Sequence, residues 1–173
     1  MFEAVDDVAQ QARRAWDEVA IVNTVSRVAH AQDNFDREAY LGCFADKVLL
    51  TDSVVFPNWT PKELEATELL DMYFETMSGY DGAHHIVTNH LIDVDGDEAT
   101  CIADLYCVCW MSENGVQKDF TIGGRYFLRL RRIAGQWRIW ERSIKTRYLL
   151  GDTTMPERAA ARVAARKRTP AEA

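Results

Sequence analysis

From about residue 84 the hydrophobic pattern of this chain changes period, and no other feature restricts its fold as strongly. Residues 84–94, 98–111, 119–132 and 137–149 are four runs rich in β-branched and aromatic residues that alternate apolar with polar. Asp95-Gly96-Asp97, Glu113-Asn114-Gly115 and Ala134-Gly135 separate them, connections short enough to join only antiparallel neighbours. A four-strand meander is therefore expected to fill the second half of the chain.

The first half has helical spacing. In WDEVAIVNTVSRVAHAQ, residues 16–32, Val19, Val22, Val25 and Ala29 recur every three to four positions, predicting a helix from about residue 7 to Gln32. Asp33-Asn34 stops it, and Asp36 reads as the N-cap of a second, short helix, REAYLGCF. DKVLLTDSVVF reads as a strand ended by Pro57. Thr60-Pro61, with Glu63 at the capping-box position, is expected to open a third helix that runs to near Gly79. Helices followed by a meander make an α+β fold: a curved, mostly antiparallel sheet forming a cone-shaped half-barrel, capped by about three helices. Such a sheet cannot fill its own concave side, so an interior pocket is expected. Residues 1–150 read as a single domain. Residues 151–173 read as a basic C-terminal tail, solvated and frayed, with five basic and two acidic residues from 156 onward.

The net charge of −7 argues against nucleic acid as a partner, because phosphate recognition needs a concentrated basic surface. No apolar run approaches the ~20 residues of a membrane span, and the acidic, polar N-terminus is unlike a signal peptide. Cys43, Cys101, Cys107 and Cys109 contain no C-x-x-C and read as buried, reduced thiols of a cytoplasmic protein. No phosphate loop, dinucleotide fingerprint or nucleophile elbow is present, so no cofactor is expected; Gly123-Gly124 reads as a bend or bulge. No metal is expected either. Adjacent His84 and His85 diverge on a strand, and no further ligand completes a site with His90, which shares the His84 face if the strand is regular.

Several residues could carry chemistry inside an apolar pocket. Asp33 is a carboxylate at a helix C-terminus, which the dipole disfavours; it either starts an Asx-type turn or orients a histidine. His85 is the natural partner: a carboxylate on one ring nitrogen leaves the other free to accept a proton, although backbone alone could satisfy it. Arg142, in WRIWERSIK, either forms a salt bridge on the exposed face or meets a substrate oxygen. Tyr126 alternates with Leu128 and Leu130 and so belongs to the buried face, where its hydroxyl needs a partner. Asp104 and Tyr106 share a face and could donate into a pocket, while Phe56, Trp59, Tyr73 and Trp110 are candidates for lining it.

Three segments, VSRVAHAQDNFDREAYLGCFADKV, HHIVTNHLIDVDGDEAT and GGRYFLRLRRIAGQWRIWERS, together resemble the nuclear transport factor 2-like superfamily, most closely its SnoaL-like, scytalone-dehydratase-like branch. The resemblance covers roughly residues 14–150 and implies the cone fold with its pocket. In that branch an Asp–His pair serves as general base and a late-strand arginine can stabilise the leaving group; Asp33, His85 and Arg142 match those positions. Two residues of some relatives are missing: a tyrosine one turn before the aspartate, where Val28-Ala29-His30 stands, and a second pocket histidine in CIADLYCVCW. The general acid is thus left among Tyr126, Tyr106 and His30. The resemblance implies a cofactor-independent lyase acting on a hydrophobic aromatic molecule, by dehydratase-type elimination or by C–C cleavage that deformylates an aryl diol. The alternatives are an isomerase or polyketide-cyclase-type enzyme, and a non-catalytic small subunit of a ring-hydroxylating oxygenase. The convex sheet face is expected to support a homo-oligomer, a dimer or trimer.

Overall fold

The structure is a computed structural model that describes residues 2–53 and 58–168, with side chains from residue 7 onward in the first of these segments. Phe56 lies outside the described residues. The elements are α1 (Phe2–Asn34), α2 (Arg37–Leu41), β1 (Phe44–Leu50), β2 (Lys62–Glu65), α3 (Ala66–Met77), β3 (Gly82–Asp95), β4 (Glu98–Glu113), β5 (Val116–Ile133), β6 (Gln136–Gly151) and α4 (Met155–Arg168). The expected meander is present as β3 to β6, inside one six-stranded sheet of order β2-β1-β6-β5-β4-β3. β1 lies parallel to β6, and every other pair is antiparallel. The Asn114-Gly115 and Ala134-Gly135 turns take positive φ at both residues, which matches the strand twist of a two-residue hairpin.

α1 lies against β3 and buries Ile21, Val25, Val28 and Ala31, spaced at three to four residues. At its middle it buries Asp17, which accepts from Arg132 Nη2 at 2.9 Å and Trp137 Nε1 at 3.2 Å. The core continues through Tyr40, Leu69, Leu70 and Phe74 onto the inner sheet residues Cys101, Ala103, Leu128, Leu130 and Ile139. All four cysteines are buried and free.

Three expected boundaries shift. β1 ends at Leu50, short of the expected stop at Pro57, which lies outside the described residues. Thr60-Pro61 does not open α3: residues 62–65 pair with β1 instead, and the Glu68 side chain accepts from the Glu65 backbone N–H at 3.1 Å to start the helix later. An edge strand was within reach of KELE because pairing satisfies its backbone groups as well as a helical turn would. The C-terminal segment is also not a frayed end over its described part. Residues 155–168 form α4, with Met155 and Ala159 buried and Met155 packed in a cluster with Met111 and Phe120.

Extra residues in two strands decide which side chains face inward. In β3 the register passes from Thr88↔Asp104 to Leu91↔Ile102, so Asn89 and His90 oppose one residue. Asn89 adopts φ 53°, and its amide donates to Asp104 Oδ2 at 3.0 Å. The regular-strand expectation for His90 therefore fails: beyond the bulge it turns half-buried to the face of Ile92 and Val94, away from the His84 face. β6 carries an extra residue between Ile139 and Glu141 and another between Thr146 and Tyr148. The first brings Arg142 and Ile144 onto the inner face with Trp137 and Ile139. The second lies opposite Gly123-Gly124, as the glycine pair suggested, and the Tyr148 ring occupies the space a side chain at Gly123 would need.

Candidate functional site

The concave side of the sheet, the end of α1, α3 and α4 enclose a cavity of about 840 Å³. Its walls are mostly apolar, including Met77, Leu105, Phe120, Ile122, Ile144 and Leu149, with Gln32, Tyr73, His85, Tyr126 and Arg142 among the polar members and the paired Glu75 and Lys167 where α3 meets α4. This is a size and composition suited to a ligand of several rings.

The termination of α1 positions Asp33. Asp36 N–H donates to Ala31 O at 2.9 Å, across a left-handed Phe35 (φ 54°) whose ring packs edge-on against Phe74 at 5.5 Å. That six-to-one bond is a Schellman closure, and it leaves Asp33 in the final turn beside the start of β3. His85 Nδ1 lies 2.6 Å from Asp33 Oδ1, and the His85 backbone N–H donates to Oδ2 at 3.0 Å. These bonds offset the unfavourable placement of a carboxylate at a helix C-terminus. With Nδ1–H donating to Asp33, a neutral ring keeps its lone pair on Nε2. The side chain of His85 is 6% exposed and lines the cavity, whereas His84 is 63% exposed and brings Nδ1 to 3.6 Å from Asp33 Oδ2.

Arg142 is buried and joins four elements. Nη1 donates to the Tyr40 hydroxyl of α2 and Nη2 to the Tyr126 hydroxyl of β5, each at 3.1 Å. Its guanidinium sits 4.5 Å from the Tyr73 ring centre of α3 and 5.0 Å from that of Tyr126. Burial pushes the Tyr126 hydroxyl up to about 12, against the pull of Arg142, and raises Tyr40 as well. Both phenols are therefore neutral at physiological pH beside a charged guanidinium. Because each phenol oxygen accepts from Arg142, the Tyr126 proton is free to point into the cavity. On β4, Cys107 is the register partner of His85 and lies with its Sγ 3.8 Å from that of Cys109; both line the cavity. The neighbouring Cys109 thiol and burial push the Cys107 thiol up, which keeps it protonated.

Of the residues singled out from sequence, His85, Tyr126, Arg142 and Tyr73 line one cavity, with Asp33 bonded behind His85. Asp104, Tyr106 and Trp110 lie on the other face of β4, because odd positions from Ala99 to Met111 are the buried ones. Asp104 is bonded to Arg125 and Asn89, and Tyr106 is 37% exposed. Trp59 is half-buried and donates to Leu50 O at 2.8 Å, away from the cavity lining. His30 is exposed. Sequence reading missed Gln32, Tyr40, Cys107, Cys109 and the α4 wall of Pro156, Ala160, Val163, Ala164 and Lys167. The small residues Ala99, Cys101 and Ala103 could have signalled that the odd face of β4 is the inner one. Nothing local marked Tyr40.

Residues 13–143 match the family described as SnoaL-like domain. No curated protein matches the sequence significantly. Among solved structures, the Kfla4162 protein of Kribbella flavida superposes with a TM-score of 0.76 at 17% identity, over 83% of this chain and 99% of that one. A candidate scytalone dehydratase of Novosphingobium aromaticivorans gives 0.69 at 17%, over 81% and 90%. Hexachlorocyclohexane dehydrochlorinase LinA-type3 of Novosphingobium barchaimii gives 0.67 at 16%, over 83% and 94%. At such identities these likenesses establish the cone fold and not a reaction.

Proposed function

The chain belongs to the SnoaL-like domain family, and we propose that it is a cofactor-independent lyase acting on a hydrophobic, aromatic small molecule. The observation that carries this reading is one oriented base and one charged guanidinium on a single, largely apolar cavity. His85 Nε2 takes a proton from the substrate, and Asp33 holds the ring in the tautomer that can do so. Arg142 opposes the negative charge that then gathers on a substrate oxygen. In a dehydration, the carbon–hydrogen electron pair becomes the new π bond as the carbon–oxygen bond breaks, and the Tyr126 hydroxyl protonates the departing oxygen to release water. In the C–C cleaving form of the same chemistry, His85 takes the terminal hydroxyl proton of an aryl 1,3-diol and the bond to that carbon breaks to release formaldehyde; its electron pair becomes the new π bond as the other carbon–oxygen bond breaks and Tyr126 protonates the departing oxygen to release water.

Similarity in fold to a dehydrochlorinase and a candidate scytalone dehydratase supports an elimination-type reaction. The test is to incubate the purified protein with aryl β-hydroxy ketones and aryl 1,3-diols and to identify products by mass spectrometry. Loss of water or formaldehyde that requires His85 supports the reading; isomerised or cyclised products of unchanged mass would replace the lyase with a proton-transfer isomerase or cyclase.

A further inference from the structure

Arg142 carries a charge in a place where its described partners are aromatic rings and neutral phenols and no carboxylate pairs with it. It is 2% exposed, its hydrogen bonds go to two neutral phenols, and no described carboxylate lies within ion-pair distance. Asp33, behind His85, is already taken up by His84 and His85, and Glu75, the carboxylate on the cavity wall, pairs with Lys167. A buried cation with no anionic partner is costly in every resting state of the molecule. A leaving group that becomes negative only late in a reaction does not relieve that cost before chemistry begins. An anion present in the bound ligand does.

The surroundings of Arg142 point to the same ligand. Tyr73 lies under the guanidinium, 4% exposed, with a hydroxyl that has no hydrogen-bond partner. The Gln32 carboxamide, 2% exposed and one residue before Asp33, has an equally unpartnered Oε1. Both side chains line the cavity with Arg142. Buried polar atoms are almost always paired, so two orphans on the wall that holds this cation describe a recognition site for a polar ligand group. Tyr73 Oη–H and the guanidinium can donate to one anionic oxygen, and Gln32 Oε1 can accept from a second, hydroxyl-bearing group of the ligand. Beyond them the cavity is apolar and sulfur-lined, with Leu105, Cys107, Cys109 and Phe120, a setting that favours a flat aromatic body over a carboxylate-rich or phosphorylated one.

We infer that the substrate is a phenol bound as its phenolate, with the ionised oxygen held by Arg142 and the Tyr73 hydroxyl. This rests on the proposed assignment of Arg142 as the charge-stabilising group and narrows it: the oxygen belongs to the substrate's ring and is ionised before His85 acts.

The test is a binding titration with 4-nitrophenol, whose yellow colour reports the ionised form, and with 4-nitroanisole, its methyl ether, which cannot ionise. Bound 4-nitrophenol should ionise about one pH unit below the free compound, a roughly tenfold preference for the phenolate. Arg142→Met should abolish the shift and Tyr73→Phe should reduce it several-fold, while 4-nitroanisole should lose much less affinity in both variants than 4-nitrophenolate does. Tyr73→Phe keeps the ring and thus the packing, so its result stands even if Arg142→Met folds poorly. The shift should persist in His85→Ala, which separates this inference from the catalytic reading: loss of turnover with the shift intact is the expected combination. Neutral binding by the wild-type protein, an undiminished shift in Tyr73→Phe, or loss of the shift in His85→Ala would each overturn it.

Discussion

Asp33 and His85 are joined twice, ring to carboxylate at 2.6 Å and backbone N–H to carboxylate at 3.0 Å. One carboxylate thereby fixes both the tautomer of the imidazole and the position of the strand that carries it. The pair separates two jobs that a single substitution can distinguish. Asp33→Asn can still accept from the His85 backbone, but its amide no longer enforces Nδ1–H on the ring. With the substrate identified, His85→Ala should lower turnover about 10²–10⁴-fold and Asp33→Asn by a similar or smaller factor, with an unchanged circular dichroism spectrum. Full activity in both variants would remove the base from the mechanism.

The tyrosines around Arg142 should limit stability in alkali. The Tyr126 pKa is raised by burial to about 12, from an ordinary value near 10, and Tyr40 is raised for the same reason. Both are neutral in the fold, so their contribution is intact below pH 10 and is lost as the pH rises towards 12, where the unfolded chain alone ionises readily. For Tyr126 the loss is about 2–3 kcal/mol. Urea unfolding between pH 9 and 12 should show a steep decline, and Tyr126→Phe should flatten part of it.

Asn89 sits in the left-handed region with φ 53°, which few residues other than glycine and asparagine accept without strain. Asn89→Val should therefore cost about 1–3 kcal/mol, whereas Asn89→Gly should cost less because it keeps the backbone and loses only the bond to Asp104. Equal losses measured by denaturant titration would show that the bulge does not need this conformation.

α4 completes one wall of the cavity, although the family match ends at residue 143. It is clamped by Arg162–Asp81 at 2.5 Å, by the Lys167–Glu75 pair and by Arg166 donating to Ser78 O at 2.7 Å, while Met155 is buried at its start. Met155→Ala should cost about 2–3 kcal/mol of stability, as for other buried large-to-alanine changes. Arg162→Ala combined with Lys167→Ala should cost under about 1 kcal/mol, because both pairs lie at the solvent-accessible surface. If the clamps hold the wall shut, that double variant should bind an apolar fluorescent dye more strongly and raise KM more than it lowers kcat.

The number of sheet strands in the second half, the turn positions and the end of α1 at Asp33 were legible because each depends on local chemistry; for His85 the residues alone left two readings open, and only the family resemblance favoured its pairing with Asp33, 52 residues away. Alternation marks strands, positive-φ residues mark hairpins, and a helix stop puts its last carboxylate at the rim. Asp104, Tyr106 and Trp110 were assigned to a pocket they do not face, since alternation says which residues share a face and not which face is buried.

The amino-acid sequence by itself determined an α+β chain, the order of its helices and meander, and where along the chain its candidate acid–base residues stand. Tertiary structure alone decided which of those residues meet. A one-residue bulge in β6 turned Arg142 inward, another in β3 turned His90 away from the face of His84, and Tyr40 reached Arg142 from a helix 102 residues earlier. It also folded the basic C-terminal segment into a wall of the cavity. Period-two patterns are blind to an inserted residue, and contacts between distant segments depend on where the folded sheet curves; both are settled only when the whole sheet closes over its core.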